Sequence, residues 1–340
     1  MKDTKTVREP TIRDVASKAG VAVGTVSRFL NGHRVRSTNR QRIEQAIREL
    51  SYKTNTLARS MKTRKTHTVG VIVSGYDQFN SQVLAVIVKR FHSEEFTVVT
   101  YHHEDDPEIL QEVFESFSSR FYDGIALSGL MSRTEELNRY SSSGRAVVLF
   151  NNDIEGIEVD RVFVNDEESS YRATEYLIQM NHEHIGLIAG NLNHSTARNR
   201  LNGYRRALRN HSISESKEFI VDGQWKTTGG YHATKRLLQS SVSPTAILVS
   251  NHLMTIGFLQ ALNELSLRIP KDISLISFDD IDMFQVFNPP ISAIAQPAEQ
   301  IGDNVFELML ERIQGRYSGN ARLILLPCQL VLRNSVSKLE

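Results

Sequence analysis

After about residue 66 one texture recurs nine times: a short run of Val, Ile, Leu and Phe, then a longer stretch with helical periodicity. The runs are TVGVIV, FTVVTY, DGIALSG, AVVLF, RVFVN, HIGLIAG, EFIVDG, AILVSN and ISLISFDD. Apolar runs that barely alternate belong to strands buried on both faces. Strands that alternate with amphipathic helices build a mostly parallel sheet covered by helices. The series covers about 270 residues, more than one sheet core normally holds, so two α/β lobes are expected.

The first 65 residues read differently. They carry 16 Lys and Arg against 5 Asp and Glu, whereas the remainder carries 24 against 34. The net charge of +1 therefore hides a basic headpiece on an acidic body, and only the headpiece suits a polyanion. In TIRDVASKAGVAVGTVSRFLNG, Thr11 can N-cap a helix with Asp14 as its capping-box partner. Ile12, Val15, Ala16 and Ala19 share one face, and Gly20 can close the helix in a left-handed conformation. A second helix from about Val23 to Leu30 buries Val26 and Phe29 or Leu30. A third, from about Thr38 to Leu50, aligns Ile43, Ala46, Ile47 and Leu50. Three short helices of this size match a helix-turn-helix unit.

Several function classes are excluded. No apolar run approaches the ~20 residues of a membrane span, and MKDTKTVREP lacks the apolar segment of a secretory signal, so a cytoplasmic protein is expected. The single cysteine, Cys328, allows no internal disulfide and no cysteine cluster for zinc; it reads as a small filler beside a C-terminal strand. There is no Walker motif, no G-x-S-x-G and no H-E-x-x-H, and IAGNLN offers one glycine of a phosphate loop. HHEDD, His102 to Asp106, reads as a polar strand-to-helix loop rather than a metal cluster. No enzyme, cofactor or metal is expected.

The headpiece motif, followed by RIEQAIRELSYKTNTLARSMKTRKTHTVGVIV, resembles the lactose-repressor/galactose-repressor family of bacterial transcription regulators. The likeness continues through DGIALSG, HEHIGLIAG, RNRLNGYRRAL, RIPKDISLISFDD, NPPISAIAQP and IGDNVFELMLERIQG, in the family's order. The resemblance implies a helix-turn-helix headpiece over 9–65 with a hinge helix at 55–62. It implies a periplasmic-binding-protein-like core over 67–340, with one lobe from about 67–164 and 294–327 and the other from about 165–293 and 328–340. It also implies a homodimer on pseudo-palindromic double-stranded DNA, controlled by a small molecule in the interlobe cleft. The chain ends LVLRNSVSKLE without leucine heptads, so a dimer is expected rather than a tethered tetramer. A free solute-binding protein shares the core but not a basic headpiece.

The implied DNA-facing residues are Thr11, Val23, Gly24, Thr25, Ser27, Arg28, Asn31, Asn55, Ala58, Arg59 and Met61. Val23, Gly24 and Arg28 take the base-reading positions, and Arg28 can contact guanine bidentately. Thr25, Ser27 and Asn31 suit phosphates. Met61 takes the family's leucine position, as a wedge between base pairs or else as a buried lobe contact. Ala22, Arg36, Asn39 and Thr54 depart from the family's Ser, Ser, Thr and Pro.

The implied effector residues are Asn151, His194, Thr196, Arg200, Trp225, Asn251, Asp279 and Gln296. Trp225 would stack on the ligand, Arg200 would clamp it with two parallel hydrogen bonds, and Asp279 would accept from two adjacent hydroxyls. His194 and Thr196 are expected on one loop. His252 stands where the family has Asp, and Gln78 to Ser81 depart from NPFF. A sugar or sugar derivative is the expected effector, with a purine-like corepressor as the alternative.

Overall fold

The computed structural model describes residues 10–30, 33–52, 65–120, 122–129, 133–240 and 242–340. It divides into two compact units, Met1–Thr66 and His67–Glu340. Asn31 and the segment expected to form the hinge helix, with Asn55, Ala58, Arg59 and Met61, lie outside the described residues.

In the headpiece, helices Ile12–Ala19, Val23–Leu30 and Ser37–Leu50 enclose Val15, Ala16, Ala19, Val26, Ile43 and Ala46. The Thr11 hydroxyl accepts from the Asp14 N–H at 3.4 Å, and Asp14 Oδ2 accepts from the Thr11 N–H at 2.7 Å. This reciprocal pair satisfies two donors that a helix start leaves open. Gly20 ends the helix at φ +65°, where a side chain would be strained. The third helix begins one residue earlier than its apolar pattern suggests; Arg36 precedes it and makes no side-chain cap.

The second unit holds two six-stranded sheets. The first has the order β11-β5-β4-β3-β1-β2, from β1 (Thr68–Val73), β2 (Thr97–His102), β3 (Gly124–Leu127), β4 (Ala146–Phe150), β5 (Asp160–Val164) and β11 (Leu323–Leu326). The second has the order β12-β10-β9-β8-β6-β7, from β6 (Ile185–Ala189), β7 (Ile220–Asp222), β8 (Ala246–Val249), β9 (Ser274–Phe278), β10 (Ser292–Ala295) and β12 (Gln329–Val331). All neighbours are parallel except β12, which is antiparallel to β10. Each of the nine apolar runs forms one strand, and β1, β3, β4, β6, β8 and β9 are buried almost throughout. Two hydrophobic clusters flank each sheet.

The chain crosses between lobes three times: after β5, after β10 and between β11 and β12. The second crossing falls slightly later than the expected return to the first lobe at about residue 294. Ile294 and Ala295 still pair with Leu330 and Gln329 in the second sheet, so the return comes only with Gln296 and Pro297, ahead of helix Ala298–Ile313. Among the described residues no helix is long and apolar enough to cross a membrane.

Candidate functional site

In the headpiece the second helix turns Val26 into the core and leaves Val23, Gly24 and Arg28 exposed; Val23 is 42 % exposed. Thr25 and Ser27 are partly buried beside them. An apolar side chain and a guanidinium exposed on the outer face of a helix that follows a tight turn are the kinds of group that can read bases in a major groove. Thr11 is used as the cap of the preceding helix.

The core's parallel strands all end towards the space between the lobes. Loops at the carboxyl ends of such strands are where α/β folds bind ligands. A cavity of about 100 Å³ lies there, and Asn151, His194, Thr196, Arg200, Trp225, Asn251, Asp279 and Gln296 all line it. Asn151 follows β4, Trp225 follows β7, Asn251 follows β8, Asp279 follows β9 and Gln296 follows β10. Four cavity residues hold positive φ without being glycine: Asp105 (60°), Asn151 (65°), Trp225 (59°) and Asp279 (67°). Such backbone costs on the order of 1–3 kcal/mol per residue, and its clustering marks a functional site.

Arg200 is firmly anchored in the second lobe. It is 3 % exposed. Nε donates to Asp166 Oδ1 at 2.7 Å, Nη1 donates to the Ser250 carbonyl, and the guanidinium lies 3.7 Å over the Phe278 ring. These anchors use two of its three nitrogens inside the lobe, so the expected two-pronged clamp has only the remainder to offer a ligand. Burial pushes the Asp166 carboxyl up, against the pull of the Arg200 charge.

The Trp225 ring stands on the cavity wall, 6.0 Å from His194 edge to face. Gly190 makes its position possible: a Cβ there would come within 2.1 Å of Trp225 Cζ2. The Trp225 carbonyl accepts from Asn251 Nδ2 at 3.2 Å, while Asn251 Oδ1 caps helix His252–Glu264 through the Met254 N–H at 2.8 Å. Trp225 Nε1, Gln296 Oε1 and Asn80 Oδ1 are buried at the cavity without hydrogen-bond partners. A buried polar atom without a partner costs about 1–3 kcal/mol. One donor and two acceptors in this state fit a ligand that carries both.

Two expectations are corrected here. Asp279 does not hold both oxygens open for a pair of ligand hydroxyls, because each already accepts within the core: Oδ2 accepts from the His252 N–H and Nδ1 at 3.2 and 2.7 Å, and Oδ1 accepts one bond, from Gln296 Nε2 at 2.6 Å. Burial works against its charge, but the His252 bond, the charges of His252 and Arg200 and the Gln296 bond bring it down to about 2. Thr196 does not share a loop with His194; it lies in the first turn of helix Ser195–Asn210, and its hydroxyl donates across the lobes to the Asn151 carbonyl at 2.7 Å. Burial holds His194 towards its neutral form, with Asp105 opposing.

The opposite wall carries no motif that marks it in the sequence. Asp77, Asn80, Asp105, Ser128 and Asn152 also line the cavity. Asp105 belongs to HHEDD, the loop read as merely polar. Asp77 had a signal, since it N-caps helix Gln78–Ser93 directly after the first strand-end turn. Asn152 links the lobes, accepting at Oδ1 from the Ser195 N–H at 2.9 Å and from the Ser195 hydroxyl at 3.0 Å.

A helix-turn-helix headpiece on a two-lobed, ligand-clefted α/β core defines a ligand-responsive DNA-binding regulator. Residues 11–55 match the model of bacterial regulatory proteins of the lacI family, and residues 174–336 match a periplasmic binding protein-like domain. The chain is 30 % identical to the HTH-type transcriptional repressor PurR of Vibrio campbellii over 97 % of this chain and 99 % of that one. It is 32 % identical to the ribose operon repressor of Haemophilus influenzae over the same shares. The lac repressor dimer bound to operator and the anti-inducer ONPF superposes with a TM-score of 0.85 at 25 % identity, covering 97 % of this chain and 100 % of that chain. A complex of the transcriptional regulator CelR with cellobiose superposes with a TM-score of 0.73 at 26 % identity, covering 96 % and 99 %. The protein belongs to the lacI family of bacterial regulatory proteins and is a transcriptional regulator, not an enzyme.

Proposed function

We propose that the protein is a cytoplasmic homodimeric repressor that binds a pseudo-palindromic operator and releases or tightens it when an uncharged sugar or sugar derivative occupies the interlobe cleft. The observation that carries the effector reading is Trp225, an aromatic face whose buried Nε1 has no partner, on the wall of a polar cleft. An apolar ring face edged with hydroxyls matches an aromatic platform ringed by amides. The charges of the cleft support an uncharged ligand. Arg200 is committed to Asp166 and His252 to Asp279, while Asp77 and Asp105 face the same space and repel phosphates. The ribose operon repressor and the cellobiose-bound regulator among the similar proteins agree with this reading.

A purine-like corepressor is the second reading, favoured by the PurR relatives and by the same stacking ring. Titrating Trp225 fluorescence with sugars, sugar phosphates and purines, alongside a gel shift with operator DNA, separates the two. Sugars should move both signals. A purine that moves both while sugars move neither overturns the carbohydrate reading.

On the DNA, Val23 and Arg28 read bases, Gly24 permits their close approach, Thr25, Ser27 and Asn31 hold phosphates, and Thr11 lies at the same face. Asn55, Ala58, Arg59 and Met61 belong to a hinge that enters the minor groove, with Met61 as the wedge. Met61→Gly should weaken operator binding while leaving effector affinity of the free protein intact.

A further inference from the structure

His252 stands where the two lobes meet, with a carboxylate on each side. It is 4 % exposed. On the second lobe, Nδ1 donates to Asp279 Oδ2 at 2.7 Å. On the first lobe, Asp77 Oδ1 lies 3.7 Å from Nε2. Both carboxylates are held in place. Asp77 accepts from the Asn80 N–H at 3.0 Å and from Asn80 Nδ2 at 2.5 Å, and Asp279 accepts from Gln296.

The tautomer follows from this geometry. With Nδ1–H committed to Asp279, a neutral ring turns the bare lone pair of Nε2 towards the Asp77 carboxylate. An imidazolium turns an N–H towards it instead. One proton thus converts a repulsive contact between lobes into an attractive one. The charged groups facing the ring are Asp279 from the loop after β9 and Asp77 from the start of helix Gln78–Ser93. Behind them stand Arg200, whose charge acts on Asp279, and Asp105, which is itself pushed up by the Asp77 charge. Gln296, on the crossing after β10, is uncharged.

We propose that His252 is a proton-operated latch: as an imidazolium it bridges Asp279 of the second lobe and Asp77 of the first, so that closing the cleft takes up a proton. Burial alone would lower the basicity of the ring, but the Asp279 bond and the charges of Asp279 and Asp77 outweigh it and raise it above the ordinary histidine value. Opening withdraws Asp77 and removes part of that gain. Closure is therefore favoured below the open-state value and loses this support as pH rises through the closed-state value. The latch needs no effector and stands whichever ligand the cleft takes.

The test is the distance between nitroxide labels on exposed positions of the two lobes, Glu108→Cys and Asn193→Cys, measured by pulsed electron resonance on the full chain without effector; Cys328 is kept, since its buried thiol, raised to about 12, resists labelling. Between pH 6 and pH 8.5 the closed fraction should fall several-fold. His252→Gln, which cannot titrate, should flatten the profile. Asp77→Asn should flatten it too while keeping the helix cap, because asparagine caps as well as aspartate. Thermal melts of each variant report that it is folded. Closure that ignores pH in the parent, or an unchanged profile in folded Asp77→Asn, overturns the latch.

Discussion

Arg200 and Asp166 form an ion pair of 2.7 Å with both side chains removed from water. Breaking such a pair from one side leaves a buried charge without compensation, at a cost of about 3–5 kcal/mol. Arg200→Met should therefore destabilise the core by roughly that amount in urea unfolding. The double variant Arg200→Met, Asp166→Met should recover much of the loss. Both should be blind to effector in the Trp225 titration.

Gly190→Ala tests the aromatic platform without touching any polar group. The new methyl would meet the indole at 2.1 Å, so the ring must move. Overpacking of this kind costs about 1–3 kcal/mol. Effector affinity should fall at least about tenfold, the equivalent of 1.4 kcal/mol, with a shifted Trp225 emission. Unchanged affinity would remove Trp225 from the binding surface.

Arg28→Ala should abolish preference for the operator while sparing much of the non-specific affinity, because a bidentate guanine contact is worth about 1–3 kcal/mol of discrimination. The salt slope of non-specific binding, about −0.9 per phosphate neutralised, should stay the same. Equal losses on specific and random DNA would make Arg28 a phosphate anchor.

Asp279 sets an acid limit on the second lobe. Its carboxyl sits at about 2, below the unfolded value, so the stability it contributes is present above pH 4 and is lost as pH falls through about 2. A shift of this size corresponds to about 2 kcal/mol. Unfolding of parent and Asp279→Asn should differ most near pH 5, and the difference should shrink towards pH 2.

What the sequence made legible depended on burial. The nine strands visible as apolar runs are mostly strands packed on both faces, and such burial writes itself as Val, Ile and Leu without interruption. The three that were not visible, β10, β11 and β12, are short and lie beside the crossings, and β11 is an edge strand that exposes Leu323 and Leu325. The cavity residues on the second lobe were reachable through the family pattern. The first-lobe wall was not: Asn80 falls in the stretch that departs from the family pattern, Asp77 lies just before it, and Asp105 sits in a loop whose polarity alone carries no ligand signal. The hydrogen bonds that take up both oxygens of Asp279 come from residues 27 and 17 positions away, and no local spacing encodes them.

Cys328 lies on the third crossing and packs against hydrophobic clusters of both lobes. Burial pushes its thiol up to about 12, so it behaves as an apolar filler. Two otherwise separate cores thus share one sulfur at the fulcrum of any hinge motion. A change of volume at that position is felt by both lobes at once. Should the lobes pivot there, atoms near the axis would travel least, so close packing at Cys328 would be compatible with movement at the cleft rim.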